Sequence, residues 1–160
     1  MEGQLLPSLR QLRTFAAVAR FESISRASAQ LHLSQSAATQ AIATLETRLE
    51  VPLFVRRNRG TYLTEYGKIL EKCTTRFFAA IQRAIRELGD EAGPVHSLHV
   101  ASTPYRLTNS QVRALIAIYE AGSFTQAARQ LGVSLMSVHR SARSLEGQLQ
   151  KELFQNTAPA

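Results

Sequence analysis

A chain of 160 residues has room for one ordinary domain or two very small ones, and none for a large multidomain enzyme. Its 44% hydrophobic, 7% aromatic and 19% charged content excludes a disordered tail or a fibrous repeat. The formal charge of +7, from 19 Lys and Arg against 12 Asp and Glu with lysine only at 68, 72 and 151, is arginine-dominated and favours a polyanionic partner, nucleic acid first.

In chain order, Leu12, Phe15, Ala16 and Ala19 recur at helical spacing and predict an amphipathic helix over about 9–21. Ser23 or Ser25 offers an N-cap for a short second helix ending near Leu31. His32 and Leu33 make a turn, and Ser34 caps a third helix whose Ala38, Ile42, Leu45 and Leu49 form one apolar stripe. Two helices joined by a tight turn, the second exposing small polar residues at its start, form a helix-turn-helix. Leu53–Arg56 and Tyr62–Leu63 then read as two short strands around Arg57-Asn58-Arg59-Gly60, a basic wing. Thr64 caps a long helix stopped by Gly89, with Leu70, Cys73, Phe77, Ile81, Ala84 and Leu88 three or four apart. Cys73, the only cysteine, excludes an internal disulfide and a thiolate-rich zinc site, and is expected in the core as a small apolar residue.

After a connector, the first module returns. Gln11–Phe54 aligns without a gap on Gln111–Phe154, with thirteen identities that include Arg13/Arg113, Ser34/Ser134, Glu46/Glu146 and Phe54/Phe154. The chain is therefore read as mainly α: a winged helix-turn-helix over 1–67, a linker helix over 68–90, a connector over 91–106 and an incomplete second helix-turn-helix over 107–160.

The first part resembles the winged helix-turn-helix DNA-binding domain of LysR-type transcriptional regulators, through SQSAATQAI, LEVPLF, the basic wing and the LTEYG helix start, in that order over about residues 9–90. The second copy resembles the same domain but stops just after its first wing strand, and the family's effector-binding domain has no counterpart here. The resemblance implies that Gln35, Ser36, Thr39 and Gln40, with the cap Ser34, face base edges and nearby phosphates. Gln suits adenine N6 and N7, and short hydroxyls suit bases or phosphate. The plainer reading makes the serines helix caps and Thr39 and Gln40 a solvated face. Arg56, Arg57 and Arg59 cluster on the wing, where a guanidinium can enter a narrow minor groove; the resemblance points to Arg59, and Thr64 is counted with the DNA-facing set. Arg10, Arg13 and Arg48 are either backbone clamps or, for Arg13 and its copy Arg113, partners of Glu46 and Glu146.

The linker stripe of Leu70, Cys73, Phe77, Ile81, Ala84 and Leu88 is expected to form a homodimer, as the family does, the alternative being packing on the chain's own second module. In that module Leu135 and Met136 replace Gln35 and Ser36, which suits a protein contact better, while His139, Arg140 and Arg143 keep some capacity for phosphate. Lacking a wing and a following helix, the second copy is expected to be only partly stable. His96 and His99 have no third ligand beside them, so no metal and no cofactor is expected. No phosphate loop, nucleophile with His and acid partners, or paired carboxylates stand out, so the protein is read as a non-enzyme. The expected function is sequence-specific binding of double-stranded DNA as a cytoplasmic, nucleoid-associated regulator without a small-molecule effector site. The rival is an interaction protein that pairs with other regulators through the linker and second module. No apolar run reaches about 18 residues, and MEGQLLPSLRQ lacks a signal-peptide pattern, so no membrane role is expected.

Overall fold

A hydroxyl side chain starts every helix in the computed structural model, which describes residues 7–58, 60–89 and 106–154. The first half holds α1 (Leu9–Phe21), α2 (Ile24–Gln30), α3 (Gln35–Leu49), β1 (Phe54–Arg57), β2 (Gly60–Leu63) and α4 (Glu65–Gly89). The second holds α5 (Asn109–Ala121), α6 (Phe124–Leu131) and α7 (Leu135–Leu149). The chain divides into two compact units, Met1–Ala80 and Ile81–Ala160, with the boundary inside α4.

In the first unit, Ser8 accepts from Gln11 N while the Gln11 side chain accepts from Ser8 N, at 3.1 and 2.9 Å, so a reciprocal box begins α1. Thr108 and Gln111 repeat it at α5, at 3.3 and 2.8 Å, which gives the repeated glutamine a structural reason. The buried face of α1 is Leu9, Gln11, Thr14, Phe15 and Val18, with Leu12, Ala16 and Ala19 only half-buried. This corrects the expected stripe. Gln11 and Thr14 are polar but locally satisfied, Thr14 Oγ1 donating to Arg10 O at 2.9 Å, so they tolerate burial.

Ser23 caps α2, and Ser34 caps α3 through Ala37 N at 3.2 Å. Phe15, Val18, Ala27, Ile42, Leu45 and Leu53 form the core, with the Phe15 and Phe54 rings 5.3 Å apart. The wing is antiparallel, pairing Phe54 with Leu63 and Arg57 with Gly60. The first expected strand moves on by one residue and the second starts two residues earlier: Leu53 is buried in the core, and Arg57, Gly60 and Thr61 join the ladder. The register is fixed from outside, since Thr61 N donates to Glu22 O at 2.9 Å and a Cβ on Gly60 would meet that oxygen at 3.0 Å.

Thr64 staples α4 to the core. Its N–H donates to Leu53 O at 2.9 Å, its hydroxyl donates to Pro52 O at 2.7 Å, and its oxygen accepts from Gly67 N at 3.0 Å. Gly67 has no room for a side chain, because a Cβ there would lie 2.2 Å from Leu53 O. Farther along α4, Leu70 packs against the core, Ile81 is half-buried, and Phe77, Ala84 and Leu88 are exposed; Thr74, Phe78 and Ile85 on the neighbouring face are buried. Cys73 is exposed, contrary to its expected place in the core, because its turn of α4 directs it away from the residues that Leu70 covers.

The second unit packs α5, α6 and α7 around Ala114, Ala117, Ile118, Ala127, Ala128, Val138 and Ala142. The aromatic that stood at Phe15 has moved: Phe124 packs edge-on to Phe154, centroids 5.5 Å apart. Three capped helices and a continuous core are present in this unit, and no wing follows them among the described residues.

Candidate nucleic-acid interface

Four pieces of chain meet at one end of the first unit. Glu22, the left-handed C-cap of α1, accepts from β2 through its carbonyl; Ser23 begins α2; and Ser25 Oγ donates to Gln35 Oε1 at 3.1 Å, in the first turn of α3. The second strand of the wing, near its turn, and the start of α3 are therefore linked through Glu22 and Ser25 by hydrogen bonds.

Ser34, Gln35, Ser36 and Gln40 are exposed and Thr39 is half-buried, while Ala38, Ile42 and Leu45 of the same helix are buried. Ser34 Oγ is bonded both to Ala37 N and to Ser36 Oγ, the latter at 3.1 Å, so this exposed serine is a helix cap. Thr39 donates its hydroxyl proton to Gln35 O at 2.9 Å and keeps acceptor capacity and a methyl group. Gln35 keeps both amide protons, and its Oε1 retains a second lone pair, so Ser25 orients the amide without consuming it. Ser25 was weighed in the sequence only as a cap; its link to Gln35 depends on the packing of α2 on α3, which periodicity does not report.

Arg56, Arg57 and Asn58 are exposed on the wing, whereas Arg59 lies outside the described residues. Thr64 spends its hydroxyl on the α4 staple. Arg10 and Arg48 are exposed; Arg13 is half-buried, and desolvation lowers its pKa from the usual guanidinium value. Glu46 Oε1 accepts from Leu53 N at 2.7 Å and Phe54 N at 3.1 Å, clamping the chain where it enters the wing. Glu146 repeats this on Leu153 and Phe154, at 3.0 and 3.1 Å, and its ion pair is with Arg143 at 3.0 Å, one turn away.

Outside the helix-turn-helix, the α4 stripe supplies exposed Cys73, Phe77, Ala84 and Leu88 with half-buried Leu70 and Ile81. In the second unit Leu135 and Met136 are exposed, but His139 is half-buried and lies flat on Phe124, centroids 4.3 Å apart. Arg140 remains exposed. The paired histidines at 96 and 99 and most of the expected connector lie outside the described residues. Among the described residues no helix is long and apolar enough to cross a membrane, and no group of three metal-ligating side chains occurs.

A helix-turn-helix whose second helix presents short polar side chains, with a basic hairpin held beside it, defines the winged class of DNA-binding folds. The model of the bacterial regulatory helix-turn-helix protein, lysR family, matches residues 9–68 and again 110–159, and the chain belongs to that family. The HTH-type transcriptional regulator GalR of Pseudomonas putida is 33% identical over 153 residues, 96% of this chain and 36% of the relative, so one alignment runs through both copies. YofA of Bacillus velezensis, also an HTH-type transcriptional regulator, is 42% identical over 87 residues, covering 52% of this chain and 30% of its own length. The chain thus spans about a third of the length of the curated relatives it matches. Among solved structures, the BenM DNA-binding domain in its complex with catB site 1 DNA covers 54% of this chain and 97% of its own, at 24% identity and a TM-score of 0.50, a likeness of fold.

Proposed function

We propose that the chain is a sequence-specific duplex-DNA binder that regulates transcription, with α3 of the first unit in the major groove, the wing in the minor groove and two chains paired through α4. The observation that carries this reading is the join between wing and recognition helix through Glu22 and Ser25: it places the exposed Gln35, Ser36 and Gln40 and the exposed Arg56 and Arg57 on one hydrogen-bonded frame. Gln35 and Gln40 supply donor and acceptor pairs for base edges, while the wing arginines and Arg59 supply charge to phosphates and the minor groove. A dimer through Phe77, Ile81 and Leu88 would present two recognition helices to half-sites about one helical turn, or a multiple, apart. The named relatives are transcriptional regulators.

Selection of bound duplexes from a random pool tests it. Wild type is expected to enrich an inverted repeat, and the Gln35→Ala/Thr39→Ala variant to lose it. Enrichment of the same repeat by both proteins would remove α3 from the reading head.

A further inference from the structure

The chain carries the same capped fifteen-residue helix twice, α3 and α7, with different chemistry on the outward face. At the offset of 100, Leu135, Met136, His139 and Arg140 stand where Gln35, Ser36, Thr39 and Gln40 stand in the first unit. The structure sorts them. His139 is stacked on Phe124, which occupies one face of its ring, and Arg143 is paired with Glu146. What is presented is Leu135 at 40% exposure, Met136 at 69% and, one turn on, exposed Arg140.

Two of the three carboxylates over 107–154 are engaged away from this face, and the third, Glu152, follows α7 in the chain. Glu146, the only acidic residue of α7, is buried on the backbone of Leu153 and Phe154, and Glu120 accepts from Gln130 Nε2 at 3.3 Å on the neighbouring helices. The outward face of α7 is therefore apolar and cationic with no anion on the helix to answer Arg140. That combination fits a major-groove floor, where a thymine methyl takes apolar contact and guanine O6 and N7 take a guanidinium, beside phosphates that match a cation.

We propose that the second helix-turn-helix is also a reader of duplex DNA, with a base preference unlike the first: Leu135 and Met136 against thymine methyls and Arg140 against a guanine. The proposal rests on the reading of α3 as a recognition helix, and it makes the chain a bispecific binder with two unlike half-sites. The opposing occupant of this face is a protein surface.

The test is random-duplex selection with the full chain, run in parallel for wild type, Gln35→Ala/Thr39→Ala and Arg140→Ala, with circular dichroism to confirm that each variant is folded. Two unlike motifs are expected in wild type. Arg140→Ala is expected to lose the guanine preference at one position of the second motif, weakening that site about tenfold, while leaving the first motif intact. Met136→Gln is expected to shift the neighbouring thymine preference toward adenine. A single motif, lost in the Gln35/Thr39 variant and untouched in Arg140→Ala, would overturn the proposal while sustaining the first reading, and would leave the α7 face to a protein. Absence of any motif in wild type would overturn both.

Discussion

Glu46 and Glu146 show how a single repeated side chain can organise a module. Each carboxylate receives two backbone N–H groups at the point where the chain leaves the third helix of its copy, and those donors have no ladder partner there. Hydrogen bonds to a charged group contribute about 1.5–3 kcal/mol, and truncation leaves the buried donors unsatisfied. Glu46→Ala is accordingly expected to destabilise the first unit by about 2 kcal/mol in denaturant unfolding, with Glu46→Gln losing less. The sequence marks this residue by its repetition, but identity at an offset reports that a role is kept, not that backbone N–H groups of the following segment fill it. A second expectation comes from the turns. Glu22 and His32 adopt positive φ, at 49° and 53°, where the second copy has Gly122 and Gly132 at 66° and 65°. A left-handed conformation costs a non-glycine residue about 1 kcal/mol or more, so His32→Gly is expected to raise the melting temperature of the first unit; an unchanged or lowered value would show that His32 is held by interactions worth more than the strain.

At the scale of elements, helix boundaries were the most legible feature, because Ser23, Ser34 and Thr64 act locally as caps and the apolar stripe of α3 has a clear period. The first wing strand lies one residue on from its expected place and the second begins two residues earlier, since Thr61 bonds to Glu22 across the unit, a tertiary contact with no local sequence signal. Likewise the spacing of Cys73 placed it on the α4 stripe, but the tendency of cysteine toward burial misplaced it in the core. Its exposure, together with that of Phe77 and Leu88, leaves an apolar band on α4 that fits a helix partner. Phe77→Asp is expected to convert dimers into monomers in sedimentation velocity with the helical signal unchanged. A dimer that survives this change would assign the pairing to another face, and aggregation would mean that the stripe packs within the chain.

For the molecule as a whole, charge and surface chemistry divide between the copies. Eight basic residues stand against four acidic ones over 9–67, and five against three over 107–154, so both units favour a polyanion, the first more strongly. The candidate reading face was legible in the sequence as residues 35, 36, 39 and 40 on one side of a helix; what needed the structure was the link beneath it, through Ser25 and Glu22, and the stacking of His139 on Phe124 in the second copy.

Specificity supplied by α3 and charge supplied by the wing are separated by the salt dependence of binding to a selected duplex and to a scrambled one. Affinity is expected to fall steeply with salt, by a slope of about 0.9 per phosphate neutralised. Arg57→Ala is expected to lower that slope by about one and weaken both duplexes alike, whereas Gln35→Ala is expected to reduce the preference for the selected duplex about tenfold with the slope unchanged. A Gln35→Ala protein that keeps its full preference, or loses affinity equally for both duplexes, would contradict the account.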